Sequence, residues 1–136
     1  MKSFLLDTNV ISELRKPKPH GGLKAWFDRL QLNQIFLSAV TLGELQAGVE
    51  ITRVQDIRKA QEIEKWIDAL SHTVSILEMN AACFREWAHL MHGKSHSISE
   101  DAMIAATARI HNLIVATRNE SDFRQFDVAI YNPFHS

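Results

Sequence analysis

A single cysteine, Cys83, stands in a chain of 136 residues. Neither a disulfide framework nor a paired-cysteine zinc ribbon is therefore available, and this usage suits a reducing cytoplasm. An excess of either charge is missing too: 15 Lys and Arg face 16 Asp and Glu, for a net charge of −1. The chain lacks the overall basic field that advertises nucleic-acid binding, so any such contact has to be local. Long hydrophobic runs are absent. Only Phe4, Leu5 and Leu6 separate Lys2 and Ser3 from Asp7, too few for a secretory signal or a membrane span. No repeat, low-complexity tract or linker divides the sequence. What remains is ordinary globular composition, 46% apolar and 23% charged, which predicts one domain over residues 1–136 with a sizeable core.

What is present is an alternation of short apolar runs and longer helical patterns. Phe4-Leu5-Leu6 ends abruptly at Asp7 and reads as a buried strand, after which Val10, Ile11 and Leu14 mark a short helix from Thr8 to Leu14. Arg15-Lys16-Pro17-Lys18-Pro19-His20-Gly21-Gly22 interrupts it, because its prolines and glycines deny regular structure. That loop is also the densest basic cluster; solvation is its ordinary explanation and phosphate contact its functional one. Leu23, Trp26, Phe27 and Leu30 recur at helical spacing, and Ile35 to Ser38 reads as the second strand. A long helix follows from Val40, with Thr41 and Glu44 at capping-box spacing and Gly48 suggesting close approach by another backbone.

Ile57, Ala60, Ile63, Ile67 and Leu70 form an apolar stripe with Trp66 at its margin, and Thr73 to Leu77 reads as the third strand. Phe84, Trp87, Ala88 and Met91 predict a further helix running to Gly93. His89, His92 and His96 fall on both sides of that glycine without a cysteine or an H-E-x-x-H pattern, which argues against zinc. Ser97 or Ser99 can cap a helix that carries Glu100, Asp101 and then an alanine-rich run, apolar nearly all round and therefore buried. Leu113 to Ala116 and Val128 to Ile130 supply the last strands.

Strands alternating with helices imply βαβ units and an α/β fold: a mostly parallel central sheet of four to five strands with helices on both faces. Open sheets of this kind bind ligands at the carboxyl ends of their strands. Asp7 and the loop from Thr117 to Asp122 fall there, and the helices carrying Glu44 and Asp101 begin at or near the same edge. Each acid has a local explanation as a cap or a dipole partner. Four such explanations converging on one edge are less economical than one metal site. Clustered carboxylates repel unless a cation neutralises them, and an all-oxygen set selects a hard ion, Mg²⁺ or Mn²⁺. Glu100 is left out, since neighbouring helix residues point in different directions.

Five blocks occur in order: Phe4-Leu5-Leu6-Asp7-Thr8-Asn9-Val10-Ile11-Ser12-Glu13-Leu14; Ser38-Ala39-Val40-Thr41-Leu42-Gly43-Glu44-Leu45; Asp101-Ala102-Met103-Ile104-Ala105-Ala106; Thr117-Arg118-Asn119-Glu120-Ser121-Asp122-Phe123; and Tyr131-Asn132-Pro133-Phe134. Together they resemble the PIN-domain ribonucleases of the bacterial VapC toxin type, in particular the FitB-like branch, over nearly the whole chain. The resemblance implies a three-layer α/β/α PIN fold, Mg²⁺- or Mn²⁺-dependent cleavage of RNA, and a homodimer within a higher toxin–antitoxin assembly. It also implies neutralisation by a small cognate antitoxin that lies across the site. The family's acids map onto Asp7, Glu44, Asp101 and Asp122, and Thr8 or Thr117 and Asn119 match polar positions beside the metal.

The expected chemistry is phosphodiester hydrolysis by metal-activated water. Asp7 and Asp101 would be the principal ligands, directly or through water, with Glu44 and Asp122 completing the set. Arg15, Lys16, Lys18 and Arg118 are candidate contacts to the RNA backbone. Two rivals remain at this point. A phosphatase of the haloacid-dehalogenase kind needs a second Asp two residues after the first, where this chain has Asn9. A catalytically silent PIN domain acting as a binding module would have no evident need of four intact acids.

Overall fold

Each short apolar run becomes a strand of one sheet in the computed structural model, which describes every residue, Met1–Ser136. Strands β1 (Phe4–Leu6), β2 (Ile35–Ser38), β3 (Ser75–Leu77), β4 (Ile114–Ala116) and β5 (Ile130–Tyr131) lie in the order β3-β2-β1-β4-β5. Every pairing is parallel, with Leu5 of central β1 level with Phe36 of β2 and Val115 of β4. The helices are α1 (Thr8–Arg15), α2 (Gly21–Asp28), α3 (Ala39–Gln55), α4 (Ile57–Thr73), α5 (Ala81–Met91), α6 (Ser99–His111) and α7 (Glu120–Arg124).

The period-two alternation of a strand divides the core into two layers. Phe4, Leu6, Ile35, Leu37 and Ala116 pack on one face with residues of α1 to α4, among them Val10, Leu23, Trp26, Val49 and Ile67. Leu5 and Val115 point the other way, onto Ala102, Ala105 and Ala108 of α6 and onto Phe123 and Phe126. The alanine-rich helix is therefore buried as expected, with Ala102 and the whole of Ile104 to Ala108 inaccessible. The result is the expected three-layer α/β/α arrangement.

Several boundaries differ from the sequence reading, each for a local reason. Strand three begins at Ser75 because α4 continues through Thr73, whose hydroxyl donates to the Ala69 carbonyl at 2.8 Å. Strand four starts at Ile114, since the Leu113 N–H bonds back to Ala108 at 2.9 Å and closes α6. The last strand shifts to Ile130–Tyr131 after Asp127, whose φ of 48° turns the chain. The cap of α3 is Ser38, its hydroxyl accepting from the Val40 N–H at 3.1 Å, so Thr41 and Glu44 are not a capping box. Nor do Ser97 or Ser99 cap α6: the residue preceding that helix is Ile98, and it makes no side-chain cap bond.

Two glycines behave oppositely. A Cβ at Gly22 would meet the Ser136 carbonyl oxygen at 2.6 Å, so the chain's last turn packs against the start of α2 through that vacancy. At Gly48 no atom lies within 4 Å of the same position, which corrects the expected close approach of another backbone. Gly48→Ala should accordingly relieve the helix of its glycine without a clash. The expected gain is about 0.5–1 kcal/mol in urea unfolding.

Candidate metal centre at the carboxyl edge of the sheet

Asp7 directly follows β1 and holds the N-cap of α1 in extended backbone geometry, φ −67° and ψ 157°. The capping explanation is correct but uses only one oxygen. Oδ1 accepts from the Thr8 N–H at 2.8 Å, while Oδ2 accepts from Asn9 Nδ2 at 3.0 Å and from the Thr117 hydroxyl at 2.8 Å. At 4% exposure Asp7 is a buried carboxylate held by three donors that carry no charge.

Glu44 comes from the first half of α3, where its Oε1 accepts from the Thr8 hydroxyl at 2.7 Å. Thr8 Oγ1 also lies 3.2 Å from the hydroxyl of fully buried Thr41. Thr8 has one hydroxyl proton to give, so when Glu44 takes it, Thr41 supplies the second bond. Asp101 sits in the first turn of α6 and Asp122 on α7, both half-buried.

The charges of these four acids act on one another. Burial raises the Asp7 carboxyl above its ordinary range against the opposing hydrogen bonds of Thr117, Thr8 and Asn9, and the Asp122 charge raises it further. Glu44 is raised by desolvation and by the charges of Asp7 and Glu100. Asp101 is pushed up to about 6, by desolvation first and then by Asp7, Asp122, Glu44 and Glu100. Elsewhere the pattern is reversed: Glu13 is lowered by Lys16, Glu50 by Arg53, and Glu64 by the Gln46 amide and then Arg53. No Lys or Arg performs that service for Asp7, Glu44, Asp101 or Asp122. Glu100 belongs to the electrostatics of the site, although sequence reasoning excluded it, since its charge reaches both Glu44 and Asp101.

A family model described as "PIN domain" matches residues 4–129. The chain belongs to the PIN-domain family. It is 39% identical over 139 residues to "Toxin FitB" of Neisseria gonorrhoeae, covering 97% of this chain and 99% of that protein. To "VapC ribonuclease Y4jK" of Sinorhizobium fredii it is 34% identical over 138 residues, covering 96% and 97%. The crystal structure of FitAcB from N. gonorrhoeae superimposes with a TM-score of 0.86 at 35% identity, over 98% of this chain and 99% of that one.

The donor chemistry of this PIN domain fits a hard divalent cation: oxygen ligands only, an excess of negative charge, and no protein cation to offset it. No three His, Cys, Asp or Glu side chains already converge at direct-ligand spacing. A hard divalent cation here would be held by one or two carboxylates and would keep several of its waters. Asp7, fixed by its three donors, and Asp101 are the residues that would hold it.

The expected polar and basic residues divide. Thr8 and Thr117 are in the site, through Glu44 and Asp7 respectively. Asn119 contributes its backbone N–H to Thr117 Oγ1 at 2.9 Å, and its side chain makes no bond to the acids. Asn9 and Thr41 are site residues that sequence reasoning missed. The signal for Asn9 was its place two residues after Asp7; Thr41 was misread as a cap. Asn9 uses both ends of its amide, donating to Asp7 and accepting from the Arg118 N–H at 3.2 Å. The Arg118 guanidinium stacks on Phe134, 3.8 Å from the ring centroid. Lys16 pairs with Glu13 at 2.9 Å, and Lys18 is exposed.

Asn9→Asp tests this arrangement. It keeps the acceptor for Arg118 but sets a second carboxylate against Asp7 Oδ2. The expected result in metal-free protein at pH 7 is a loss of roughly 1–3 kcal/mol in thermal unfolding, shrinking at pH 4 as one carboxyl takes up a proton.

Proposed function

We propose that this PIN domain is a metal-dependent endoribonuclease and the toxic member of a toxin–antitoxin pair, acting in the cytoplasm. The observation that carries the reading is the cluster of acids without a protein cation, built around a buried Asp7 that three neutral donors orient. Names of the similar proteins, a toxin and a ribonuclease, support it. Mg²⁺ or Mn²⁺ bound at this edge would supply an activated water and offset the charge of the scissile phosphate.

The residues of the chain have separate tasks. Asp7 presents a fixed ligand oxygen, because Thr8, Asn9 and Thr117 leave its carboxylate no freedom to rotate. Asp101 is the second principal ligand, and Asp122 on α7 closes the set. Glu44, oriented by the Thr8 hydroxyl and raised above its ordinary range by desolvation, is suited to take a proton from the attacking water. A small cognate antitoxin would cover this edge, and its natural anchor is a basic side chain directed at the acids. The active assembly is a homodimer within a larger toxin–antitoxin complex, each 136-residue chain forming one PIN unit.

The test is incubation of purified protein with total bacterial RNA. Cleavage with added Mn²⁺ or Mg²⁺, lost in EDTA and suppressed by the antitoxin, is the expected result. Metal binding without cleavage of any RNA would make the domain a binding module instead.

A further inference from the structure

One cavity meets the acid cluster at Glu44, the one acid in its lining. It has a volume of about 210 Å³ and lies between α1, α3 and α4, lined by Thr8, Ser12, Arg15, Glu44, Gly48 and Thr52 over an apolar floor. Two helix faces build it. Thr8, Ser12 and Arg15 are spaced i, i+4 and i+7 along one side of α1, and Glu44, Gly48 and Thr52 are spaced i, i+4 and i+8 along one side of α3. The row on α1 starts at the hydroxyl that holds Glu44 and ends, ~10 Å along the helix, at a guanidinium.

Arg15 is the one basic side chain that lines this cavity, and it has no carboxylate partner. Its guanidinium lies over the Trp66 ring, 5.9 Å from the centroid. The other basic candidates do not line the cavity, and Lys16 is paired with Glu13. The Ser12 hydroxyl also makes no side-chain bond. The volume equals about seven water molecules' share of liquid, below the range of sites for whole drug-sized ligands and suited to a sugar–phosphate unit. Gly48 keeps one wall bare: a Cβ there meets no protein atom within 4 Å, yet by its place between Glu44 and Thr52 it would project to the cavity side.

We propose that this cavity is a subsite for the sugar–phosphate backbone of the RNA strand next to the scissile bond. Arg15 is its phosphate contact and Ser12 its hydroxyl contact. The assignment rests on the ribonuclease reading above. It sets the course of the strand, which leaves the acids along α1 toward Arg15, and it separates Arg15 from the rest of the basic cluster as the residue that positions substrate. An acidic peptide is the competing occupant. RNA is favoured because the cavity shares Glu44 with the acid cluster, so a second phosphate would arrive already tethered to the reacting one.

The experiment is steady-state cleavage of a short single-stranded RNA with Mn²⁺ at several salt concentrations. It compares wild type with Arg15→Ala, Arg15→Lys, Arg85→Ala and Gly48→Ala. In Arg15→Ala, KM rises about tenfold with kcat within twofold, and the slope of log affinity against log salt flattens by about 0.7. Arg15→Lys recovers part of the loss, because it keeps charge without the planar fork. Arg85→Ala, an exposed site on α5 away from the cavity, changes KM less than twofold. Gly48→Ala raises KM while raising the unfolding temperature, a combination that damage to the fold cannot produce.

Unchanged KM and salt slope in Arg15→Ala, with its Mn²⁺-induced thermal shift intact, would overturn the subsite and leave the ribonuclease reading standing. So would a loss in Arg15→Ala of binding to a poly-glutamate peptide with RNA cleavage unchanged. If wild type cleaves no RNA, the ribonuclease reading fails by itself. Fluorescence anisotropy of the same labelled RNA then decides the subsite: a tenfold weaker Kd in Arg15→Ala upholds it, and equal Kd overturns it.

Discussion

Asp7→Asn should lower RNA cleavage by roughly a thousandfold or more and leave the protein folded. The buried position allows this separation of effects. An asparagine side chain can still accept from the Thr8 N–H with its oxygen, the bond of 2.8 Å that caps α1. The Thr117 hydroxyl can reverse and accept from the new amide, since a hydroxyl both donates and accepts. Only Asn9 Nδ2, 3.0 Å away, meets another donor. Against that one mismatch stands the relief of a desolvated charge, which is the largest influence on Asp7. The variant should therefore melt within a few degrees of wild type by circular dichroism while losing both cleavage and Mn²⁺-induced stabilisation. Unfolding of the variant would make Asp7 chiefly a structural cap.

Asp101→Asn should make the metal-free protein more stable at neutral pH, not less. Asp101 has an ordinary value of 3.8 and stands at about 6 in the folded protein. Between those values the folded state binds more protons than the unfolded state, so stability falls as pH rises through the window. Above about pH 6 the whole destabilisation is present. It amounts to ~1–3 kcal/mol, reduced by the partial exposure of the side chain. Asparagine has no such proton to lose. Urea unfolding in EDTA should show wild type gaining stability as pH drops from 7 toward 4.5, with a shallower slope and a higher value at pH 7 in Asp101→Asn. Added Mn²⁺ should reverse the order at pH 7, stabilising wild type alone. Metal affinity should also climb through pH 6, because the proton on Asp101 competes with the cation. A less stable Asp101→Asn protein in EDTA would remove the argument that the acids are held together against their repulsion.

Most of the architecture was legible because each layer has its own period in the sequence. Phe4-Leu5-Leu6 and Ile35 to Ser38 are short runs ended by polar residues, and Ile57 through Leu70 and the alanines after Asp101 keep helical spacing. Boundaries were less legible where the deciding bond is not encoded by residue type. Leu113 looks like strand and is claimed by the Ala108 carbonyl, and Thr73 looks like strand and closes α4. Three of the proposed acids stand out in the sequence because Asp7 directly follows β1, Asp101 lies in the first turn of α6 and Asp122 lies on short α7, whereas Glu44 lies more than a turn into α3. Thr41 was lost to a spacing rule that fits a capping box equally well, and only the cap bond at Ser38 separates the two. Glu100 was excluded by direction along its helix, which governs contact, whereas its influence on Asp101 is charge acting over distance. The division of the basic loop, with Arg15 facing a cavity, Lys16 paired and Lys18 free in solvent, depends on tertiary neighbours that no single sequence ranks.

In the proposed reaction the attacking group is water activated at these acids, with no part for the ribose hydroxyl. Mapping the ends of RNA cut by purified protein in Mn²⁺ tests it most directly. The predicted products carry a simple phosphate on one side of the break and free hydroxyls on the other, and they are absent in EDTA and with Asp7→Asn. Ends bearing a 2′,3′-cyclic phosphate, or cuts that persist without metal, would contradict the account.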